Sequence, residues 1–528
     1  MADGTNESAA TATQPGGGPD ALSLRQIRLV VVGVLAGVLL SALDQTIVST
    51  ALPRIVGDIG GINGLAWVVT GYLLTSMAAT PLWGKFSDLY GRRQTFQAAI
   101  GIFIIGSALC GASQNITELV IFRAVQGIGA GGLYALALAI IGAIVPPELR
   151  GRYQGYFVVV YGISSVAGPL VGGWLADGPG WRWIFYVNVP VGLAPLIITT
   201  LVLKLEKVRR EHRVDYVGAA LVVAVVTSLL LYVDWAGDKF GWTDARALLL
   251  LAAFAVFTAI LLWVEPRAAE PIIPMSLFRN QVFSMAMVFS FMSGAAMFSG
   301  TVYLPVYLQA VQGMSPVRAG LAMLPAMVGI GLTSMVSGAM ISKTGKYKIF
   351  PVAGSAVVVV ASLLLALLDT DTPYWEFALI SFVFGGGVGA TMQTIITAVQ
   401  NSVDPKEIGV ATGSVNFFQR MGAAVGTAVL GAVLSVRLAH HLADGPEAAG
   451  ATRVDANDVE AIKGLAHGLR DFVTGAYADS IDDVFLASVP FAVLAFGTSL
   501  FLKELRPQAP AEQPEAVAEH TTAPASDQ

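Results

Sequence analysis

Fourteen apolar runs alternate with polar connections along this chain, and most are close to the ~20 residues that a helix needs to cross a bilayer. They cover about 29–50, 65–84, 95–113, 117–140, 153–173, 183–203, 216–235, 247–264, 283–304, 319–341, 349–368, 376–399, 410–434 and 484–502. The pattern predicts fourteen membrane-spanning helices. The longest connection, about 437–482, repeats apolar residues at Val459, Ile462, Leu465, Ala466, Leu469, Phe472, Val473 and Ala476. That helical spacing predicts one amphipathic helix at the outer membrane surface or over a pore mouth. The polar flanks, 1–24 and 504–528, read as disordered tails.

Cationic side chains orient the spans. Twenty of the 31 Lys and Arg residues fall on one set of connections, nine on the other, and two, Arg123 and Arg420, lie within spans. The positive-inside bias therefore predicts a multi-pass protein of the cell membrane, of the bacterial cytoplasmic type, with both termini in the cytoplasm.

Composition agrees with the pattern and narrows the function. The 528 residues are 55% hydrophobic and 13% charged, with a mean hydropathy of +0.68, which excludes an ordinary soluble domain. A net charge of -5 offers no basic stripe for nucleic acid. The one cysteine, Cys110, cannot build a disulfide framework, and the five histidines lie in connections or tails, so no metal site is expected. A phosphate-cradling loop is missing: Gly84-Lys85 is followed by Phe86, and Gly345-Lys346 by Tyr347. No hydrolytic triad stands out. The chain reads as no enzyme and needs no cofactor, so its energy has to come from an ion gradient or from the substrate.

The two ends of the chain echo each other. Gly84, Asp88, Gly91 and Arg92 return as Gly338, Ser342, Gly345 and Lys346 with the same internal spacing. Leu52-Pro53 returns as Leu304-Pro305, and Gly127-Ile128-Gly129 within Gly385-Gly386-Gly387. The shift of six spans plus a pair marks the seventh and eighth runs as inserted. The chain then divides into a six-helix bundle over 25–203, a linker with two extra helices over 204–281, and a second six-helix bundle over 282–503. Two such bundles facing each other across a midplane cavity is the architecture of a secondary transporter.

The motifs resemble those of the major facilitator superfamily, and within it the fourteen-span drug:proton antiporter family, over about Arg25 to Arg506. Gly84-Lys85-Phe86-Ser87-Asp88-Leu89-Tyr90-Gly91-Arg92-Arg93 is similar to the superfamily's turn between the second and third spans. Arg123 with Gln126-Gly127-Ile128-Gly129-Ala130 resembles the fourth-span motif that the family links to proton transfer. Gly155, Gly168-Pro169 and Gly172-Gly173 resemble the fifth-span signature of exporters, with Ser164 in place of its middle glycine. Leu43-Asp44-Gln45-Thr46-Ile47-Val48 with Ala51-Leu52-Pro53, Trp181-Arg182-Trp183-Ile184-Phe185 and Asn188-Val189-Pro190 look like the fourteen-span group. The resemblance implies an all-α membrane fold and a monomer that exchanges external protons for hydrophobic or cationic small molecules. An exporter of one endogenous lipid or secondary metabolite is the alternative.

Elementary energetics point to the same residues. A charge inside a span costs at least ~2.5 kcal/mol, and only Asp44, Arg123 and Arg420 lie well inside. Asp44 is the one deep carboxylate. It is expected to face a wet cavity or another of these charges, to carry the proton, and to change proton affinity as Arg123 approaches or withdraws, a permanent Asp44–Arg123 bond that only braces helices being the alternative. Proton and cationic cargo would then compete for one acid. Arg420, beside Asn416 and Gln419, and Gln126 beside Arg123, are expected to brace helices or line the cavity. Asp88 is expected to act as a latch against the helix beginning near Ile408, with Arg92 four residues away as an ion-pair partner. The glycine-lined face of the fifth span is expected to pack closely and, with Pro169 bending the helix, to seal the outer side between the bundles. Met292, Met297, Phe298, Met323, Met327 and Met392 are candidates for a tolerant wall.

Overall fold

In the computed structural model the described residues are 24–59, 65–202, 215–235, 240–241, 244–268, 271–272, 274–443 and 467–504. Their regular elements are helical. In chain order they are α1 (Leu24–Ile59), α2 (Leu65–Tyr90), α3 (Arg92–Ala112), α4 (Ile116–Ile144), α5 (Pro147–Asp177), α6 (Arg182–Tyr186), α7 (Asn188–Val202) and α8 (Tyr216–Trp235). There follow α9 (Ala245–Val264), α10 (Gln281–Val306), α11 (Pro316–Ala322), α12 (Leu324–Thr344), α13 (Ile349–Leu365), α14 (Tyr374–Gln400), α15 (Ile408–Ala443) and α16 (His467–Leu500). Each apolar run of the sequence falls on a helix, the sixth on the pair α6–α7 and the tenth on α11–α12. With α6–α7 and α11–α12 each taken as one, eleven of the fourteen are long and apolar enough among the described residues to cross a bilayer; the others are α2, α5 and α13.

Local chemistry sets the ends. Asn115 accepts from the Glu118 amide while the Glu118 carboxylate accepts from the Gln114 amide, a reciprocal cap at the start of α4. Asn280 caps α10 through the amides of Val282 and Phe283. Gly91 and Gly345 end α2 and α12 at φ of 91° and 69°, a left-handed backbone that a side chain resists. The two turns are the copies that the sequence repeat pairs.

The repeat also governs packing. Gly127 and Gly131 on α4 lie against the carbonyls of Tyr72 and Ser76 on α2. Gly385 and Gly389 on α14 lie against the carbonyls of Ala326 and Ile330 on α12. Each pair is four residues apart on its helix, so one face of each is bare backbone and the axes approach closely. Helices α1 to α7 pack on one another, as do α10 to α16, and the halves meet through α5 on α12, α2 on α15 and α4 on α15. The pair α8–α9 stands outside, touching α2 and α15. Leu249 and Trp263 on α9 are 71% and 61% exposed, the apolar surface a bilayer would cover.

Only part of the connection after α15 is described. Leu469, Phe472, Val473 and Ala476 belong to the first turns of α16, continuous with the last span, and pack into the second bundle's core. Val459, Ile462, Leu465 and Ala466, like the tails before residue 24 and beyond 504, lie outside the described residues.

Candidate functional site

Asp44 is fully buried at the centre of the first bundle, and five helices supply its surroundings. From α4, the Arg123 guanidinium donates to Asp44 Oδ2 at 2.6 Å and to Gln126 Oε1 at 2.8 Å. Gln126 Nε2 and Asn188 Nδ2 donate to Asp44 Oδ1 at 2.8 and 2.7 Å. Asn188, at the break between α6 and α7, also donates to Ser107 Oγ on α3. The Arg123 guanidinium carbon lies 4.0 Å from the centre of the Tyr72 ring on α2, and its Nε reaches the Val68 carbonyl. A buried ion pair persists only when its remaining hydrogen-bonding groups find partners, and this cluster supplies them for both Asp44 oxygens and for Arg123 Nε and Nη1.

The end of the bundles that the Lys and Arg bias assigns to the cytoplasm, hereafter the inner end, is shut. Asp88 Oδ1 and Oδ2 accept the backbone amides of Gly409 and Val410 at 3.0 and 2.7 Å, at the start of α15. Gly84 lies against the Gly409 carbonyl, so α2 and α15 cross backbone to backbone. Burial pushes the Asp88 carboxyl up to about 7, and the Val410 amide, Arg92, the Gly409 amide and Lys85 only partly offset it. Arg92 reaches the Pro405 carbonyl at 2.9 Å rather than pairing with Asp88. The helical turn that would align them stops at Gly91. Arg150 donates to Asn401 at 2.7 Å and Gln400 donates to the Leu138 carbonyl at 3.2 Å, adding two further ties between the halves. Arg93 stays within its own bundle, bonded to the Thr200 carbonyl.

Between the halves lies a cavity of about 320 Å³. The first bundle contributes Gln45, Tyr134, Phe157, Tyr161 and Gly162. Met297, Phe298, Met323, Met327 and Met392 line it from the second bundle, with Gln393, Asn416, Gln419 and Arg420 as its polar groups. Met292 is not among them. Asp44 is absent as well: of its two expected surroundings, a wet cavity or another buried charge, it has the second, in Arg123. One residue along a helix turns the side chain by about 100°, so Gln45 faces the cavity and Asp44 faces α4. No carboxylate lines the cavity among the described residues, and its one formal charge is Arg420.

Comparison with known proteins explains the arrangement. The profile of the Major Facilitator Superfamily matches residues 34–427. The chain belongs to the major facilitator superfamily. It is 38% identical over 490 residues to an uncharacterised MFS-type transporter of Mycobacterium tuberculosis, covering 93% of this chain and 71% of the relative. Multidrug resistance protein 3 of Bacillus subtilis is 34% identical over 496 residues, 92% of this chain and 97% of that one. Multidrug transporter protein MdtP of the same organism is 36% identical over 416 residues, 79% and 77% of the two chains. The crystal structure of the human organic anion transporter MFSD10 shares the fold, with a TM-score of 0.59 at 15% identity, covering 90% of this chain and 99% of that one. The protein is thus a multi-pass membrane transporter of small molecules rather than an enzyme.

Within this superfamily member the fifth-span residues divide. Gly155 meets Met335 of α12, across the interface between the halves. Gly168 lies against Thr46 of α1, whose hydroxyl donates to the Ser164 carbonyl at 3.1 Å. Gly172 is buried, and a side chain added at Gly173 would meet open space. Of the two glycines for which neighbours are described, Gly155 touches the second bundle and Gly168 the first. Helix α5 runs unbroken past Pro169, whose side chain lies outside the described residues.

Sequence reasoning missed Asn188, Ser107 and Tyr72 around Asp44, and Arg150 and Gln400 at the inner end. The polar Asn188, two positions before Pro190, was the available signal for the first. The others are ordinary in sequence, and only packing gathers them.

Proposed function

We propose that this transporter is a proton-coupled exporter of hydrophobic small molecules, acting as a monomer without cofactor in the bacterial cytoplasmic membrane with both termini inside. The fourteen helical runs, the two repeated bundles and the inserted α8–α9 pair support the fourteen-span form. The relatives named for multidrug resistance and multidrug transport support export of foreign compounds. One observation carries the coupling: a fully buried Asp44–Arg123 pair, one helix position from the cavity-lining Gln45.

Proton and cargo do not compete for one acid in this arrangement. A proton on Asp44 would turn an acceptor of three hydrogen bonds into a donor and strand the Arg123 guanidinium, which must then repack. Because Asp44 and Gln45 share a backbone, that repacking is felt at the cavity wall. Coupling runs through α1 and α4, with the inner-end ties as the gate that has to break for cargo to enter. One proton crossing 100 mV contributes ~2.3 kcal/mol before the pH difference is counted.

Inverted vesicles with an imposed pH gradient test the reading. Addition of a transported compound should dissipate the gradient with the native protein and leave it intact with Asp44→Asn. Equal dissipation by both removes Asp44 from coupling.

A further inference from the structure

The cavity carries a charge that the coupling scheme leaves unused. Arg420 projects into a wall of methionine and phenylalanine from α15, and among the described residues no ion pair includes it. Its one described polar contact in the cavity is the Tyr161 hydroxyl. Beside it, both polar atoms of the Gln393 side chain and the Tyr134 hydroxyl are buried without a hydrogen-bond partner, although the two residues are 2% and 4% exposed. The two side chains lie within reach of each other in the same cavity, the Tyr134 hydroxyl toward Gln393. Buried polar groups are nearly always paired, so a cluster left open implies a partner that comes and goes. The open groups include a guanidinium, a hydroxyl and an amide N–H. Gln393 Oε1 can accept from the Tyr134 hydroxyl, which leaves the guanidinium and the amide N–H in want of an acceptor.

We propose that the cavity binds apolar acids, molecules whose carboxylate pairs with Arg420 while the hydrocarbon or aromatic body lies against Met297, Met323, Met327 and Phe384. The guanidinium fork matches a carboxylate with two parallel bonds. The Gln393 N–H is placed to donate to whatever acceptor the cargo adds. Aromatic rings such as Phe157 and Phe384 could hold a cation by their faces, but the fixed positive charge of Arg420 opposes one, and no described carboxylate in the cavity offsets it. Anionic cargo also suits the energetics of export. An anion leaving a negatively charged interior moves with the membrane potential, so its exit and proton entry both draw charge in the favoured direction. The inference rests on the export reading above and adds the cargo class to it.

A matched series tests it: pyrenebutyrate, pyrenebutanol and pyrenebutyl-trimethylammonium share one apolar body and differ in head charge. Binding to the purified full-length protein is read by pyrene fluorescence. The carboxylate should bind at least tenfold tighter than the alcohol, and the ammonium weakest. Arg420→Gln should erase the carboxylate's advantage while leaving the alcohol's affinity unchanged, and Arg420→Lys should keep most of it. An ammonium that binds as tightly as the carboxylate, or a carboxylate preference that survives Arg420→Gln, overturns the inference. Should Arg420→Gln not fold, Arg420→Lys decides: a several-fold loss confined to the carboxylate supports it, and an equal loss for all three overturns it. Uptake of the same probes by inverted vesicles separates the two readings. Equal uptake of ammonium and carboxylate overturns the acid preference and leaves export standing. Tight, selective binding of the carboxylate without uptake of any probe removes export and supports the site.

Discussion

Two opposite charges withdrawn from water each carry a desolvation cost of several kcal/mol, which mutual attraction and further hydrogen bonds have to offset. Around Asp44 that offset is visible bond by bond, in Arg123, Gln126 and Asn188. Removing one partner strands the other. We expect Asp44→Asn or Arg123→Gln alone to lower stability by roughly 3 kcal/mol. The pair Asp44→Asn with Arg123→Gln should cost less than the sum of the two. Thermal unfolding of the four proteins in detergent gives this coupling energy, and strict additivity would show that the bond seen between them contributes nothing. Asp44 was legible from sequence as a lone acid in an apolar run. The direction it faces was not, because a shift of one residue exchanges cavity for bundle core, and hydropathy does not record which side of a helix is wet.

At the scale of elements, glycine spacing decides how closely helices approach. Gly131 on α4 stands over the Ser76 carbonyl and Gly389 on α14 over the Ile330 carbonyl, so an added methyl group meets backbone that cannot yield. Gly131→Ala and Gly389→Ala should each destabilise by about 1–3 kcal/mol, the usual cost of overpacking. Gly173→Ala, which meets nothing within 4 Å, should unfold at the native temperature within error. Melting curves for the three variants distinguish close packing from a general intolerance of alanine in these helices. The glycine pairs were readable as a repeat at a fixed shift. Their contacts were not, since Gly155, Gly168 and Gly173 look alike in sequence and meet a second-bundle methionine, a first-bundle threonine and open space.

For the molecule as a whole, the inner-end latch makes the gate sensitive to pH. Two amides and the start of α15 favour the ionised Asp88, a contact worth up to ~2 kcal/mol when partly buried. Burial outweighs them, since the carboxyl stands near 7 when closed against the ordinary value of 3.8. The closed state therefore holds its proton more tightly than an opened, solvated one. That contribution to closure is fully present below about pH 4 and is lost as pH rises through about 7. Distances between spin labels at the inner ends of α2 and α15 should shift toward the closed population as pH falls from 8 to 6. Asp88→Asn should abolish this shift. An unchanged distribution in the native protein would assign closure to Arg150 and Gln400 instead. By itself the sequence determined the helices, the repeat along the chain and Asp44 and Arg123 as charges within spans, because hydropathy, spacing and ion desolvation act locally along the chain. Only the tertiary structure decided that the acid lies sealed in one bundle, that the cavity carries a cation, and that Arg150 and Gln400 help close the inner end. Those facts depend on rotation about helix axes and on contacts between residues hundreds of positions apart, which no local pattern encodes.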